Sequence, residues 1–181
     1  REINIPFTVG GGINSVEDAQ AIIKAGADKV SINTAAVDHP EIVSEIAAKF
    51  GSQCVVLAID TKLDDGEWKV YIHGGRTPTP LNAVDWALEG ERRGAGEILL
   101  TSMNNDGTKN GFALDITAAV SSAVNIPVVA SGGAGTMQHF ADVFQQTRAS
   151  AALAASIFHF GEIPIPRLKQ FLKQQNIEVR I

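Results

Sequence analysis

Two glycine clusters and one aspartate carry the chemistry most legible in this chain. Gly10-Gly11-Gly12 close the apolar run "NIPFTVGGG" (residues 4–12), and Gly132-Gly133 close "NIPVVASGG" (residues 125–133). A strand that ends in consecutive glycines exchanges side-chain packing for bare backbone. Bare amides ahead of a helix start can approach an anion, above all a phosphate. One strand later, each cluster is followed by a polar small residue: Asn33-Thr34 in one half, Ala155-Ser156 in the other. The candidate sets are therefore Gly11, Gly12, Asn33 and Thr34, and Gly132, Gly133, Ala155 and Ser156. Asp106-Gly107, in "NDGTKNG" (residues 105–111), adds a further strand end. Two such cradles facing each other would grip a small molecule phosphorylated at both ends. Asp60 terminates the apolar run "CVVLAID". A carboxylate at the carboxyl end of a parallel strand stands where such sheets do chemistry, although it could instead cap the loop that follows. Thr101, Ser102 and Ser131 also lie at strand ends and could line the same pocket.

Short apolar runs alternate with helical patterns along the whole chain. Strands are expected at Ile5–Val9, Lys29–Ile32, Cys54–Ile59, Glu97–Leu100, Val128–Ala130 and Ala151–Ala154. Their near-continuous apolar character suits parallel strands covered by other elements. The helix Ser15–Lys24 opens on a Ser-x-x-Asp cap, and Glu41–Phe50 has Pro40 before it and Gly51 after it. Leu81–Arg93, Leu114–Ala123, Met137–Gln146 and Pro166–Gln174 complete the set. Repeated β-α units with short connections predict an α/β parallel sheet or barrel. After Asp60, "TKLDDGEWKVYIHGGR" places Asp65-Gly66 between two alternating runs, which predicts a β-hairpin insert at about 61–75. The chain also repeats itself: residues 4–12 match 125–133, and "GADKVSINTAA" (26–36) matches "RASAALAASIF" (148–158) in pattern.

The chain has 181 residues, 45% of them hydrophobic, and a formal net charge of −5, which argues against nucleic acid or an anionic membrane as the main partner. No apolar run approaches the roughly 20 residues needed to span a bilayer. The single cysteine, Cys54, suits a reducing, cytoplasmic setting and is expected as a small buried hydrophobe. His39, His73, His139 and His159 show no metal-ligand spacing, so neither a metal nor another cofactor is expected. Trp68 and Trp86 are expected to pack in the insert and on a helix.

Taken together, "IPFTVGGGI", "GADKVSINTAA", "FGSQCVVLAID", "ERRGAGEILLTSMNNDGTKNG", "IPVVASGGAGTMQHF" and "ALAASIFHF" resemble the cyclase subunit of imidazole glycerol phosphate synthase, and the likeness runs through to the terminal "IEVRI". The resemblance implies a (βα)8 barrel of the TIM type, acting in histidine biosynthesis. Such a subunit takes ammonia from a glutaminase partner and cyclises a bisphosphorylated formimino-AICAR ribulosyl intermediate, releasing imidazole glycerol phosphate and AICAR. It implies a catalytic general base at Asp60. It also implies one phosphate site at Gly12, Asn33 and Thr34, and another at Gly107, Gly133, Ala155 and Ser156. By the same resemblance Lys29 and Glu97 belong to a charged gate where ammonia enters, and Asp28 to the glutaminase interface.

Against the family pattern, two βα units are expected ahead of "IPFTVGGG", carrying a second catalytic aspartate and the rest of the gate. The chain thus reads as a single partial barrel domain over 1–181, with about six units, the third to the eighth. With one of two carboxylates, it is expected to be inactive or nearly so alone. Open sheet edges predict self-association or rearrangement. The alternatives are the bisphosphate-binding barrel isomerase of the same pathway and a non-catalytic, self-associating phosphate-binding barrel.

Overall fold

A computed structural model describes residues 5–180. Six parallel strands form the body of the sheet: β1 (Thr8–Gly10), β2 (Lys29–Ile32), β3 (Val55–Asp64), β6 (Glu97–Ser102), β7 (Val128–Ser131) and β8 (Ala151–Leu153), in the order β1-β2-β3-β6-β7-β8. Two more strands, β4 (Glu67–Ile72) and β5 (Thr77–Asn82), extend from β3 as an antiparallel excursion. The main helices are α1 (Val16–Lys24), α3 (Glu41–Phe50), α4 (Ala83–Arg92), α5 (Leu114–Ala123), α6 (Met137–Gln146) and α8 (Ile165–Gln174). Two short ones, α2 (Thr34–Asp38) and α7 (Ser156–His159), follow β2 and β8. This is a partial (βα)8 barrel of the TIM type, as the resemblance implies.

The period of two along each strand decides what faces what. On β3, Leu57, Ile59 and Thr61 are buried towards the helices, whereas Ala58 and Asp60 turn to the other, more open face. The helix side is packed closely: a Cβ at Gly90 of α4 would come within 2.2 Å of Leu57 Cδ2. Val43 and Ile46 of α3 and Trp86 and Ala87 of α4 share a core with Val30, Leu57, Ile98 and Val128. A second core gathers Phe112, Phe140, Ile157, Leu168 and Leu172 under β7 and β8. Ala19 of α1, whose N-cap Ser15 accepts from Asp18 N, is fully buried.

Register then sets up rows across the open face. Gly10, Ser31, Val56 and Glu97 form one row, and Asp60, Thr101, Ser131 and Leu153 another, nearer the carboxyl ends of the strands.

Several sequence expectations need correction. The insert does not end near residue 75. β3 itself runs on to Asp64, Asp65 and Gly66 make the turn with φ of 52° and 81°, and β5 continues the excursion to Asn82. The two prolines at 78 and 80 hid this strand, yet among the described residues β5 pairs only with β4 and has one free side, where a missing N–H is tolerated. Helix α4 accordingly begins at Ala83, with Asn82 Oδ1 accepting from the Val84 and Asp85 amides. β1 begins at Thr8 because the Phe7 amide bonds the Asp28 carboxylate (2.9 Å). Cys54 is half-buried at the end of a 3-10 turn, not in the core. Trp86 is buried on α4, and Trp68 Nε1 donates to Asp115 (3.1 Å).

Candidate active site

The two glycine turns adopt a shared geometry. Gly11 and Gly12 have φ of 91° and 72°, Gly132 and Gly133 of 91° and 99°, all in the region that favours glycine. Each turn follows the first strand of its half, and each half's next strand leads straight into a short helix whose first residue is a hydroxyl: Thr34 of α2 and Ser156 of α7. The repeat seen in the letters is therefore a repeat in space.

The first set lines one cavity of about 310 Å³, walled by Gly11, Gly12, Asn14, Ser31, Asn33, Thr34, Ala58, Asp60 and Gly74. Thr34 Oγ1 accepts from the His73 amide (3.0 Å), which leaves the hydroxyl hydrogen for an acceptor elsewhere. The second set lines a cavity of about 220 Å³ formed by Asp106, Gly107, Lys109, Ser131, Gly132, Gly133, Ala155 and Ser156. Thr101 lines neither and stands between them, paired in register with Asp60 on one side and Ser131 on the other. Asp60 and Ser131 are two strands apart, roughly 10 Å at the usual spacing. Ser102, by contrast, faces the helices, buried, with Oγ donating to Asn105 Oδ1 (2.9 Å).

Asp60 is the carboxylate of the first cavity. Burial pushes its pKa above the ordinary carboxylate value; the hydrogen bond from Asn33 Nδ2 (3.0 Å) pulls it part of the way back, and the charge of Asp106 adds to the rise. Asn33 Nδ2 also reaches the Tyr71 carbonyl (3.4 Å), while Asn33 Oδ1 is buried without a hydrogen-bond partner among the described residues. A half-buried carboxyl group whose proton affinity is raised by burial, facing a cavity, is suited to proton transfer.

At the opposite end of the strands, Lys29 Nζ donates to Glu97 Oε2 at 2.6 Å, across the intervening β3, with both side chains largely covered. Asp28, exposed beside them, accepts from the Phe7 amide. A larger hollow, about 810 Å³, lies against Phe7, Val9, Ile22 and Asp28. It is mainly apolar and lacks the converging polar groups of the two smaller cavities.

Sequence reasoning missed the contribution of the insert. His73, Gly74 and Gly75 carry three consecutive positive φ values (56°, 67°, 76°), and this turn folds back to seat His73 N on Thr34 and Gly74 at the cavity wall. The letters "HGG" were the available signal. Ser31, Asn14 and Lys109 were also missed. Among the described residues no group of three or more His, Cys, Asp or Glu side chains could hold a metal ion, and no helix is long and apolar enough to cross a membrane.

Comparison with known proteins agrees with this geometry. A family model described as histidine biosynthesis protein matches residues 1–164. The imidazole glycerol phosphate synthase subunit HisF of Flavobacterium johnsoniae is 61% identical over 180 residues, covering 99% of this chain and 72% of that protein. The HisF subunit of Halalkalibacterium halodurans is 58% identical over 97% of this chain and 71% of its own length, and that of Hydrogenobaculum sp. 57% identical over 100% and 72%. With the glycine turns, the hydroxyls and Asp60 in one arrangement, the chain belongs to the histidine biosynthesis family, in its branch of imidazole glycerol phosphate synthase HisF subunits.

Proposed function

We propose that this chain carries the ammonia-dependent cyclase chemistry of imidazole glycerol phosphate synthase, in the cytoplasm, on a substrate bearing a phosphate at each end. The observation that carries the reading is a pair of glycine-floored cavities, each with a hydroxyl at its wall, with Asp60 in the wall of the first and Thr101 in register between Asp60 and Ser131 of the second. Gly11, Gly12, Asn33 and Thr34 hold one phosphate; Asp106, Gly107, Ser131, Gly132, Gly133, Ala155 and Ser156 surround the other. Ring closure at a nitrogen releases protons, and the Asp60 carboxylate accepts one as general base. Thr101 lies beside the reacting centre. The Lys29–Glu97 pair gates ammonia at the far end of the strands, and Asp28 meets a glutaminase subunit there.

The test is ammonia-dependent turnover by the Asp60→Asn variant. Loss of about 10²- to 10⁴-fold with bisphosphate binding retained supports the general base. Equal loss of binding would make Asp60 a substrate anchor instead. Among the described residues Asp60 is the one acidic residue lining the first cavity and Asp106 the one lining the second. The isolated 181-residue polypeptide is therefore expected to turn over slowly.

A second reading has its own observation. β1 and β8 each have one side unpaired among the described residues, with Ile5, Phe7 and Leu153 exposed near them. That favours self-association; in this reading the barrel binds phosphate without turnover, and any ammonia-dependent turnover that Asp60→Asn abolishes rules it out.

A further inference from the structure

The second cavity contains an unusual charge for an anion site: the carboxylate of Asp106 is part of its lining. Its one cationic lining residue is Lys109. Lys109 Nζ is engaged by both oxygens of Glu162, at 2.6 and 2.7 Å. Glu162 lies just beyond α7, the short helix that presents Ser156, so the ion pair joins the loop after β6, whose Lys109 lines the cavity, to the loop after β8.

The backbone under Lys109 is clamped. Its φ is +60°, a conformation that costs a non-glycine residue free energy and persists only where surroundings enforce it. Asn105 Nδ2 donates to the Gly111 carbonyl (2.8 Å), Gly111 N to the Gly133 carbonyl (2.8 Å), and Thr108 Oγ1 to the Asn105 carbonyl (2.6 Å). A Cβ at Gly135 would lie 2.3 Å from the Lys109 carbonyl oxygen. The loop is thus a rigid mount, while the side chains of Lys109 and Glu162 stay about half exposed. A rigid mount that carries a half-exposed ammonium on a residue lining the cavity is suited to handing that ammonium between two anions.

We propose that Lys109 is a phosphate-binding residue of the second cavity and that Glu162 is its internal competitor, holding the ammonium when the cavity has no anion and weakening phosphate affinity so that product leaves. The proposal rests on the reading of that cavity as a phosphate site. The ammonium offsets Asp106 when a dianion enters, and Glu162 takes it back on release.

Titration of the protein with inorganic phosphate, followed at the Gly133 and Gly12 amide resonances, reads the two cavities separately. Lys109→Gln is expected to weaken binding at Gly133 about tenfold or more, the loss of a charge-assisted hydrogen bond, with Gly12 unmoved. Lys109→Arg should retain most of the affinity. Glu162→Gln should tighten binding at Gly133 several-fold, and the Lys109→Gln, Glu162→Gln double variant should resemble Lys109→Gln alone. Unchanged binding in Lys109→Gln, while Ser156→Ala weakens it, overturns the role of Lys109 and leaves the phosphate site standing. No effect of Ser156→Ala either would sink the site itself. Weakening by Glu162→Gln would make Glu162 a positioning residue, and the competitor role fails.

Discussion

At Asp60 the proposed role as general base and the stability of the fold pull in opposite directions. Burial raises its pKa, so the ionised form is disfavoured in the folded protein relative to the unfolded chain. Below the ordinary carboxylate value near 3.8 the group is protonated in both states and costs nothing. As pH rises through that value and then through the higher folded one, a destabilising contribution grows and thereafter stays constant. Asp60→Asn should therefore raise Tm at neutral pH, with the gain vanishing at about pH 3, as thermal melts across pH would record. Asn33 acts on the same proton. Its Nδ2–H bond favours the carboxylate, so Asn33→Ala should move the acid limb of the pH–rate profile to higher pH. A shift to lower pH would show that Asn33 does not stabilise the charge.

At the scale of elements, two glycine turns that share positive φ at both glycines differ in what surrounds them. A Cβ at Gly12 meets nothing within 4 Å, so Gly12→Ala costs only the left-handed conformation, about 1–2 kcal/mol. A Cβ at Gly133 would lie 2.1 Å from the Gly111 carbonyl oxygen, against backbone that cannot swing away. Gly133→Ala should then cost more than about 3 kcal/mol in urea unfolding and should break the Gly111–Gly133 hydrogen bond. The short helices behind these turns make the matching test for binding. Thr34→Ala and Ser156→Ala should each weaken bisphosphate binding by about 1–2 kcal/mol, roughly five- to thirtyfold in Kd by calorimetry. Thr34→Ala carries an added cost, because the His73 amide loses its acceptor and the insert turn its seat.

For the molecule as a whole, the governing fact is that the six-stranded parallel body of the sheet has both its outer strands unpaired on one side among the described residues. β1 lies at one end and β8 at the other, and Leu153, 43% exposed, sits on the open face of β8. Unpaired N–H and C=O groups beside apolar side chains template further strands. The 181-residue polypeptide, produced alone, should show a mass in light scattering that rises with concentration, and Leu153→Lys should reduce it. A single monomeric mass at high concentration would remove the self-association reading. The inner end of the barrel adds a check of different kind. Lys29→Met leaves the Glu97 carboxylate partly buried without its cation, and should disturb ammonia-dependent turnover more than bisphosphate binding.

The sequence by itself determined what lies within about ten residues of chain. The apolar runs, the Ser15 cap, the paired glycine turns and Asp60 at a strand end are local properties, and the doubling of the glycine turn is what suggests two anion sites from the letters alone. The Lys29–Glu97 pairing came from family likeness alone, since nothing local joins residues 68 positions apart. Only the tertiary structure decided the rest. The sheet register put Asp60, Thr101 and Ser131 in one row, the β4–β5 excursion carried His73 and Gly74 onto Thr34, and the two loops met at Lys109 and Glu162. These contacts depend on how strands slide against one another, and that is set by burying one whole face of the sheet against the helices, a condition no short stretch of chain contains.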